Sequence, residues 1–211
     1  MPQGVTLLAA TKTVPAEIIN FAADCGIRVI GENRVQELLE KYEHLDRTGL
    51  EIHFIGALQT NKVKYIIDKV DMIQSVDRLP LAEEIERQAA KRGIVMPVLA
   101  EINIGAEESK SGISPEEAYE FCQKLIGYPH LLLRGLMAIP PKTETKAEKI
   151  EYFSQMRKIF VDISDKIVDN INNNAFNILS LGMSGDYSEA IECGSNMIRL
   201  GSALFGNRSK N

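Results

Sequence analysis

Lys12 stands two residues past the apolar run Val5 to Ala10 and three before Pro15, in the stretch LLAATKTVP. An amine held at the end of a core strand gives up hydration, which lowers its pKa and leaves it able to attack an aldehyde. Near the other end of the chain, LGMSGDYSEAIECG carries two glycines and Ser184 into a helix start at about Asp186, and MIRLGSALFG carries Gly201 and Ser202 straight after an apolar run. Backbone N–H groups and hydroxyls presented in this way converge on an anion. Arg199, two residues before Gly201, is a cation that can donate hydrogen bonds but not accept them. Each feature also has an ordinary reading. Lys12 can lay its stem on the surface with the ammonium in water, and Arg199 can form a salt bridge with Glu101.

Positioning these groups falls to a series of short apolar runs: VTLLAA, IRVI, EIHFI, DMIQSV, MPVLAEI, LLLRGLMAI, FNILSL and MIRL. They are continuous rather than alternating, as expected of parallel strands covered on both faces. Seven segments between them have helical spacing. In RVQELLEKYEHL the apolar residues are Val35, Leu38, Leu39, Tyr42 and Leu45; DRLPLAEEIERQAAKRG is bounded by Asp77 as cap and Gly93 as stop; SPEEAYEFCQKLIG opens with Ser114 as N-cap and Pro115 at the first helical position. The polar stretch PKTETKAEK from Pro141 is a long loop entering the sixth helix.

Eight strands in 211 residues give about 26 residues per strand-helix unit, the scale of a βα repeat. The count of eight, with no G-x-G-x-x-G after the first strand, favours a closed (β/α)8 TIM barrel over an open doubly wound sheet. Residues 1–211 are expected to form this single domain. Ligands of such barrels bind beyond the carboxyl ends of the strands, with phosphate at the loops after strands seven and eight. Closure makes strand one the neighbour of strand eight, so Lys12 faces an anion held by Ser184, Gly201 and Ser202 at about the span of one ring. Pyridoxal 5′-phosphate (PLP) carries an aldehyde and a phosphate on one ring. An arginine at the pyridine nitrogen would keep that nitrogen unprotonated and the ring a poor electron sink.

Composition narrows the partners. There are 24 basic and 29 acidic residues and a formal net charge of -5, without basic blocks, which disfavours nucleic acid. Cys25, Cys122 and Cys193 are odd in number and widely spaced, so they suggest neither a disulfide framework nor a zinc site and read as reduced thiols. No run reaches the ~20 apolar residues of a membrane span, and MPQGVTLLAA has no signal-peptide pattern. A cytoplasmic protein with no metal and no membrane partner is expected.

Read in order from Leu7 to Arg208, LLAATKTVP, GENRVQE, HFIGALQTNKVK, SVDR, KSG, GLMAIP and LGMSGDYSEAIECGSNMIRLGSALFG closely resemble the pyridoxal phosphate homeostasis protein family. That family's fold is like the barrel domain of alanine racemase. The resemblance implies that Lys12 forms the internal aldimine (Schiff base), that Ser184, Gly201 and Ser202 bind phosphate, and that Arg199 faces the pyridine nitrogen. It implies also that Asn33, His53 and Met183 line the pocket. It further implies a carrier or regulator of the vitamin B6 pool, exchanging PLP with PLP-dependent apoenzymes, with no catalytic residue assigned; a monomer is expected. Three departures stand out: the usual helix before the first strand is lacking, Ala57 replaces a second histidine of the HFIG-x-L motif, and Leu181 stands where methionine is common.

The rival is a PLP-dependent amino-acid racemase, which needs acid–base groups on both faces of the substrate carbon. The chain ends at Asn211 with no room for the racemase's β-rich second domain, and Tyr187 reads as a residue of the helix start. His53, between Ile52 and Phe54, reads either as a hydrogen-bonding group near the ring or as a satisfied core histidine. A cofactor-free aldolase barrel would use a lysine like Lys12 but would have less need of two anion loops.

Overall fold

The eight apolar runs become eight parallel strands in a computed structural model that describes residues 2–107, 110–167 and 175–206; Arg208, the last residue of the resemblance, lies outside them. The strands are β1 (Thr6–Ala10), β2 (Val29–Glu32), β3 (Glu51–Phe54), β4 (Met72–Val76), β5 (Met96–Ile102), β6 (Leu131–Ala138), β7 (Ile178–Ser180) and β8 (Met197–Leu200). They pair in chain order and close into a barrel. β1 meets β8 with Thr6 opposite Met197 and Leu8 opposite Arg199, and meets β2 with Ala10 opposite Gly31. Lys12 and Gly201 therefore emerge on adjacent strands at one end.

Helices α1 (Ala16–Asp24), α2 (Val35–Tyr42), α3 (Val63–Ile66), α4 (Leu79–Arg92), α5 (Ala118–Ile126), α6 (Lys146–Ile167), α7 (Tyr187–Glu192) and α8 (Ser202–Phe205) follow their strands. Most of the core lies between sheet and helices. Ile30, Ile52, Phe54, Ile73 and Leu136 point outward from the strands and are fully or almost fully buried against helical residues such as Ile19, Leu38, Ile85 and Phe153. Each contributes on the order of 1.5–3 kcal/mol by leaving water. Inside the barrel the apolar filling is small, with Leu8, Val29 and Met197 in one group and Met72, Leu99 and Met137 in another. The rest of the interior is polar, a point the site depends on.

The helix ends show where local sequence was enough. Gly93 takes a left-handed φ of 64° and its N–H closes on Ala89 and Ala90 carbonyls, stopping α4 as expected. At α6 the polar stretch after Pro141 contains the start signal: Thr145 and Glu148 each accept the other's backbone N–H, a capping box. Two starts differ from expectation. The N-cap of α4 is Arg78 rather than Asp77, whose carboxylate is paired with the Arg78 guanidinium. α5 begins at Ala118 rather than Pro115, because Ser114 first closes a turn, accepting the Glu117 N–H and donating to its carboxylate. Among the described residues no helix is long and apolar enough to cross a membrane.

Candidate functional site

Lys12 is half-buried just past β1, and both flanking residues are pinned. The Thr11 backbone N–H donates to the Gly31 carbonyl (2.9 Å), and its hydroxyl donates to Glu32 Oε1 (2.6 Å). Lys41 from α2 donates to the Thr11 carbonyl (2.8 Å) and to the same Glu32 oxygen (2.9 Å). On the other side Thr13 sits at φ 63°, a left-handed conformation uncommon for a non-glycine residue, and its N–H is held by Glu37 Oε2 at 2.8 Å. Glu32 is fully buried, and its Oε2 has no hydrogen-bond partner among the described residues. A buried ion pair thus fixes the backbone from which Lys12 projects. Sequence reading gave no role to Thr11, Glu32, Glu37 or Lys41; the signal was an acid ending a buried strand, followed on α2 by an i,i+4 Glu–Lys pair.

Beyond β7 and β8 lie the two loops expected to cradle an anion. The Gly201 and Ala203 backbone N–H groups both donate to Ser184 Oγ at 3.2 Å, so two amides from one loop already converge on an oxygen from the other. Gly182 turns the β7 loop at φ 91°, where a Cβ would come within 3.0 Å of the Tyr187 backbone and 2.7 Å of the Ala190 side chain. Asp186 then accepts the Met183 N–H at 2.6 Å and stands as the N-cap of α7. A Cβ on Gly201 would meet only ordinary contacts with Ala10, at 3.5 Å and beyond. Packing within the barrel itself therefore does not require glycine there. Met183 and Ser202 are exposed on the rim, and Asn33, after β2, is half-buried, its buried Oδ1 without a partner among the described residues.

Arg199 is buried on β8, and its guanidinium crosses β7 to the end of β6. Nη1 donates to the Ser180 carbonyl (2.8 Å) and hydroxyl (2.7 Å), and Nη2 to the Ala138 carbonyl (2.9 Å). Burial pushes its pKa down to about 10, against the opposing pull of Glu101 and Asp186, so it stays charged at neutral pH. The expected alternative, a salt bridge to Glu101, is not formed: the two groups interact through space while Ser180 and Ala138 take the hydrogen bonds. Glu101 is itself pushed up to about 7 by burial and by Asp77, with Arg199 pulling it back.

Lys12, Asn33, Met183, Ser184, Arg199, Gly201 and Ser202 thus gather over the contiguous strands β7, β8, β1 and β2. His53 lies lower. It is opposite Gly31 and Met72 in the sheet and buried, with Nδ1 at 2.8 Å from Gln74 Nε2 and Nε2 at 3.3 Å from Glu51 Oε2. Its ring borders a cavity of about 460 Å3 at the amino-terminal mouth, with Glu51, Arg134 and Asn196. The placement corresponds to the satisfied core histidine of the two readings.

The pattern of the alanine racemase N-terminal domain family matches residues 3–209. A pyridoxal phosphate homeostasis protein of Aquifex aeolicus is 46% identical over 202 residues, covering 96% of this chain and 86% of that protein. Its counterpart in Escherichia coli K12 is 40% identical over 210 residues, covering 98% and 87%. Among solved structures, PipY of Synechococcus elongatus with PLP bound superimposes at a TM-score of 0.87 with 33% identity, covering 98% of this chain and 94% of that one. Alanine racemase of Clostridium difficile shares the fold alone, at a TM-score of 0.75 and 18% identity over 54% of its length. Near full-length identity to proteins of one name, on a barrel whose carboxyl end carries the amine, the donor and the two loops, gives the assignment: this chain belongs to the pyridoxal phosphate homeostasis protein family, within the alanine racemase N-terminal domain family.

Proposed function

We propose that this protein binds PLP at the carboxyl end of the barrel, held reversibly by Lys12, and passes it to PLP-dependent apoenzymes in cytoplasmic vitamin B6 homeostasis, acting as a monomer without catalytic turnover. The observation that carries this reading is the convergence of Lys12, the Arg199 guanidinium and the Gly201 and Ala203 amides at one end of the barrel. The residues fit the group. Two amides that already donate to a hydroxyl oxygen suit a phosphate oxygen, and a donor-only guanidinium suits an unprotonated pyridine nitrogen. When bound, PLP supplies an aldehyde that condenses with an amine with loss of water, and hydrolysis reverses it.

This chain's residues favour holding over turnover. Arg199, charged at neutral pH, offers the ring nitrogen a hydrogen bond and no proton acceptor, so the ring withdraws electrons weakly. Lys41, beneath Lys12, is committed to Glu32 and the Thr11 carbonyl. Tyr187 is 40% exposed at the start of α7, with its backbone N–H on the Met183 carbonyl. Asn33, Met183, Ser184, Gly201 and Ser202 are assigned to the cofactor, and His53 is reassigned to the barrel interior.

The test is to load the purified protein with PLP, record its visible spectrum, trap the adduct with borohydride and map it, then offer the loaded protein to an apoenzyme. A Lys12 adduct, activation of the acceptor and negligible racemisation of alanine support the proposal. Robust racemisation abolished by Lys12→Ala would instead make the protein an enzyme.

A further inference from the structure

The polar interior of the barrel is ordered as one chain. Arg199 Nη1 donates to Ser180 Oγ (2.7 Å), and Ser180 Oγ donates to Gln74 Oε1 (2.8 Å). Gln74 Nε2 stands 2.8 Å from His53 Nδ1, and His53 Nε2 stands 3.3 Å from Glu51 Oε2. All four inner residues, Arg199, Ser180, Gln74 and His53, are buried, whereas the Glu51 side chain is 64% exposed at the opposite mouth. The ends dictate the direction. An arginine can only donate and an ionised carboxylate can only accept, while Ser, Gln and neutral His each do one of each. The His53 hydrogen bond holds the Glu51 carboxyl below its ordinary pKa, against the opposing effect of burial, so the accepting end is ionised at neutral pH. Every donor therefore points from the cofactor end toward the amino-terminal mouth, which requires His53 to be the neutral Nε2–H tautomer.

Reversing the Gln74 amide would turn its N–H toward Ser180 and leave the buried Ser180 hydroxyl without the acceptor it now has, at the cost of an unmet buried polar group. Resting on the proposed PLP site, we infer that Ser180, Gln74 and His53 are positioning residues that hold the Arg199 guanidinium toward the pyridine nitrogen through a one-directional hydrogen-bond chain spanning the barrel. The chain explains why polar residues occupy the middle of otherwise apolar strands, DMIQSV and FNILSL. It also gives His53 a part in cofactor holding from the far end, without contact.

The test has two arms. In 15N-labelled protein without PLP, long-range proton–nitrogen spectra should report His53 as the Nε2–H tautomer, and Gln74→Glu, which places an acceptor-only group opposite Nδ1, should convert it to a ring protonated at Nδ1. A wild-type ring already protonated at Nδ1 overturns the inference. In the loaded protein, Ser180→Ala and Gln74→Leu should each shift the pyridine 15N resonance and speed PLP release about tenfold, the scale of one weakened charged hydrogen bond. Ser195→Ala is the control, since that equally buried hydroxyl contacts the Leu179 and Leu181 carbonyls outside the chain; it should lower stability and leave resonance and release unchanged. Folded chain variants that match wild type in both readouts overturn the inference alone. A wild type that takes up no PLP overturns the proposed function and the ring contact with it.

Discussion

Glu101→Gln should abolish a pH dependence of folding stability that this one carboxyl creates. Burial on β5 and the nearby Asp77 carboxylate raise its pKa from 4.5 to about 7 in the folded state, with Arg199 opposing. The folded protein therefore holds a proton that the unfolded chain releases. Stability from this group is full below pH 4.5 and is lost as pH rises through 7. A rise from 4.5 to about 7, at 1.36 kcal/mol per unit, amounts to about 3 kcal/mol. Urea unfolding of the PLP-free protein, wild type and Glu101→Gln, at intervals from pH 4 to pH 9 measures it. The difference between the two stabilities should move by about 3 kcal/mol against wild type, mostly between pH 5 and pH 7.5. Contributions common to both proteins cancel in that difference. Parallel stability curves would refute the reasoning, as they would mean that Glu101 is solvated or paired and that the interior is not the low-dielectric environment its burial implies.

Two further outcomes follow from the site. Lys41→Met should cost about 3–5 kcal/mol, because it leaves the fully buried Glu32 carboxylate without its ammonium; denaturant midpoints check it, and a loss under 1 kcal/mol would mean that Glu32 rehydrates. Arg199→Glu, which offers an acceptor where the native residue can only donate, should move the visible band of bound PLP, provided circular dichroism reports a folded barrel; an unchanged band would mean that Arg199 does not meet the ring.

The strands were legible because parallel strands covered on both faces are mostly apolar, and seven of the eight apolar runs contain their strand, while IRVI overlaps only the first half of β2. Closure followed from the count. Height inside the barrel was not legible, and His53 shows why. Strand alternation correctly turns its ring inward, but only the closed barrel brings that ring to the amino-terminal cavity with Glu51, Arg134 and Asn196 rather than to the cofactor end. Arg199 is the converse. Its position before Gly201 was informative, while the choice between Glu101 and other partners depended on β6 and β7 delivering the Ala138 and Ser180 oxygens. Likewise the support beneath Lys12 comes from Glu32 and Lys41, whose meeting requires α2 to fold back on the end of β2.

The most direct measurement of the central claim is peptide mapping after borohydride treatment of the protein incubated with PLP. The account predicts a single pyridoxyl phosphate mass increment on the peptide containing Lys12, and none in Lys12→Ala. An increment spread over surface lysines such as Lys62 and Lys64, with Lys12 unmodified, would contradict it.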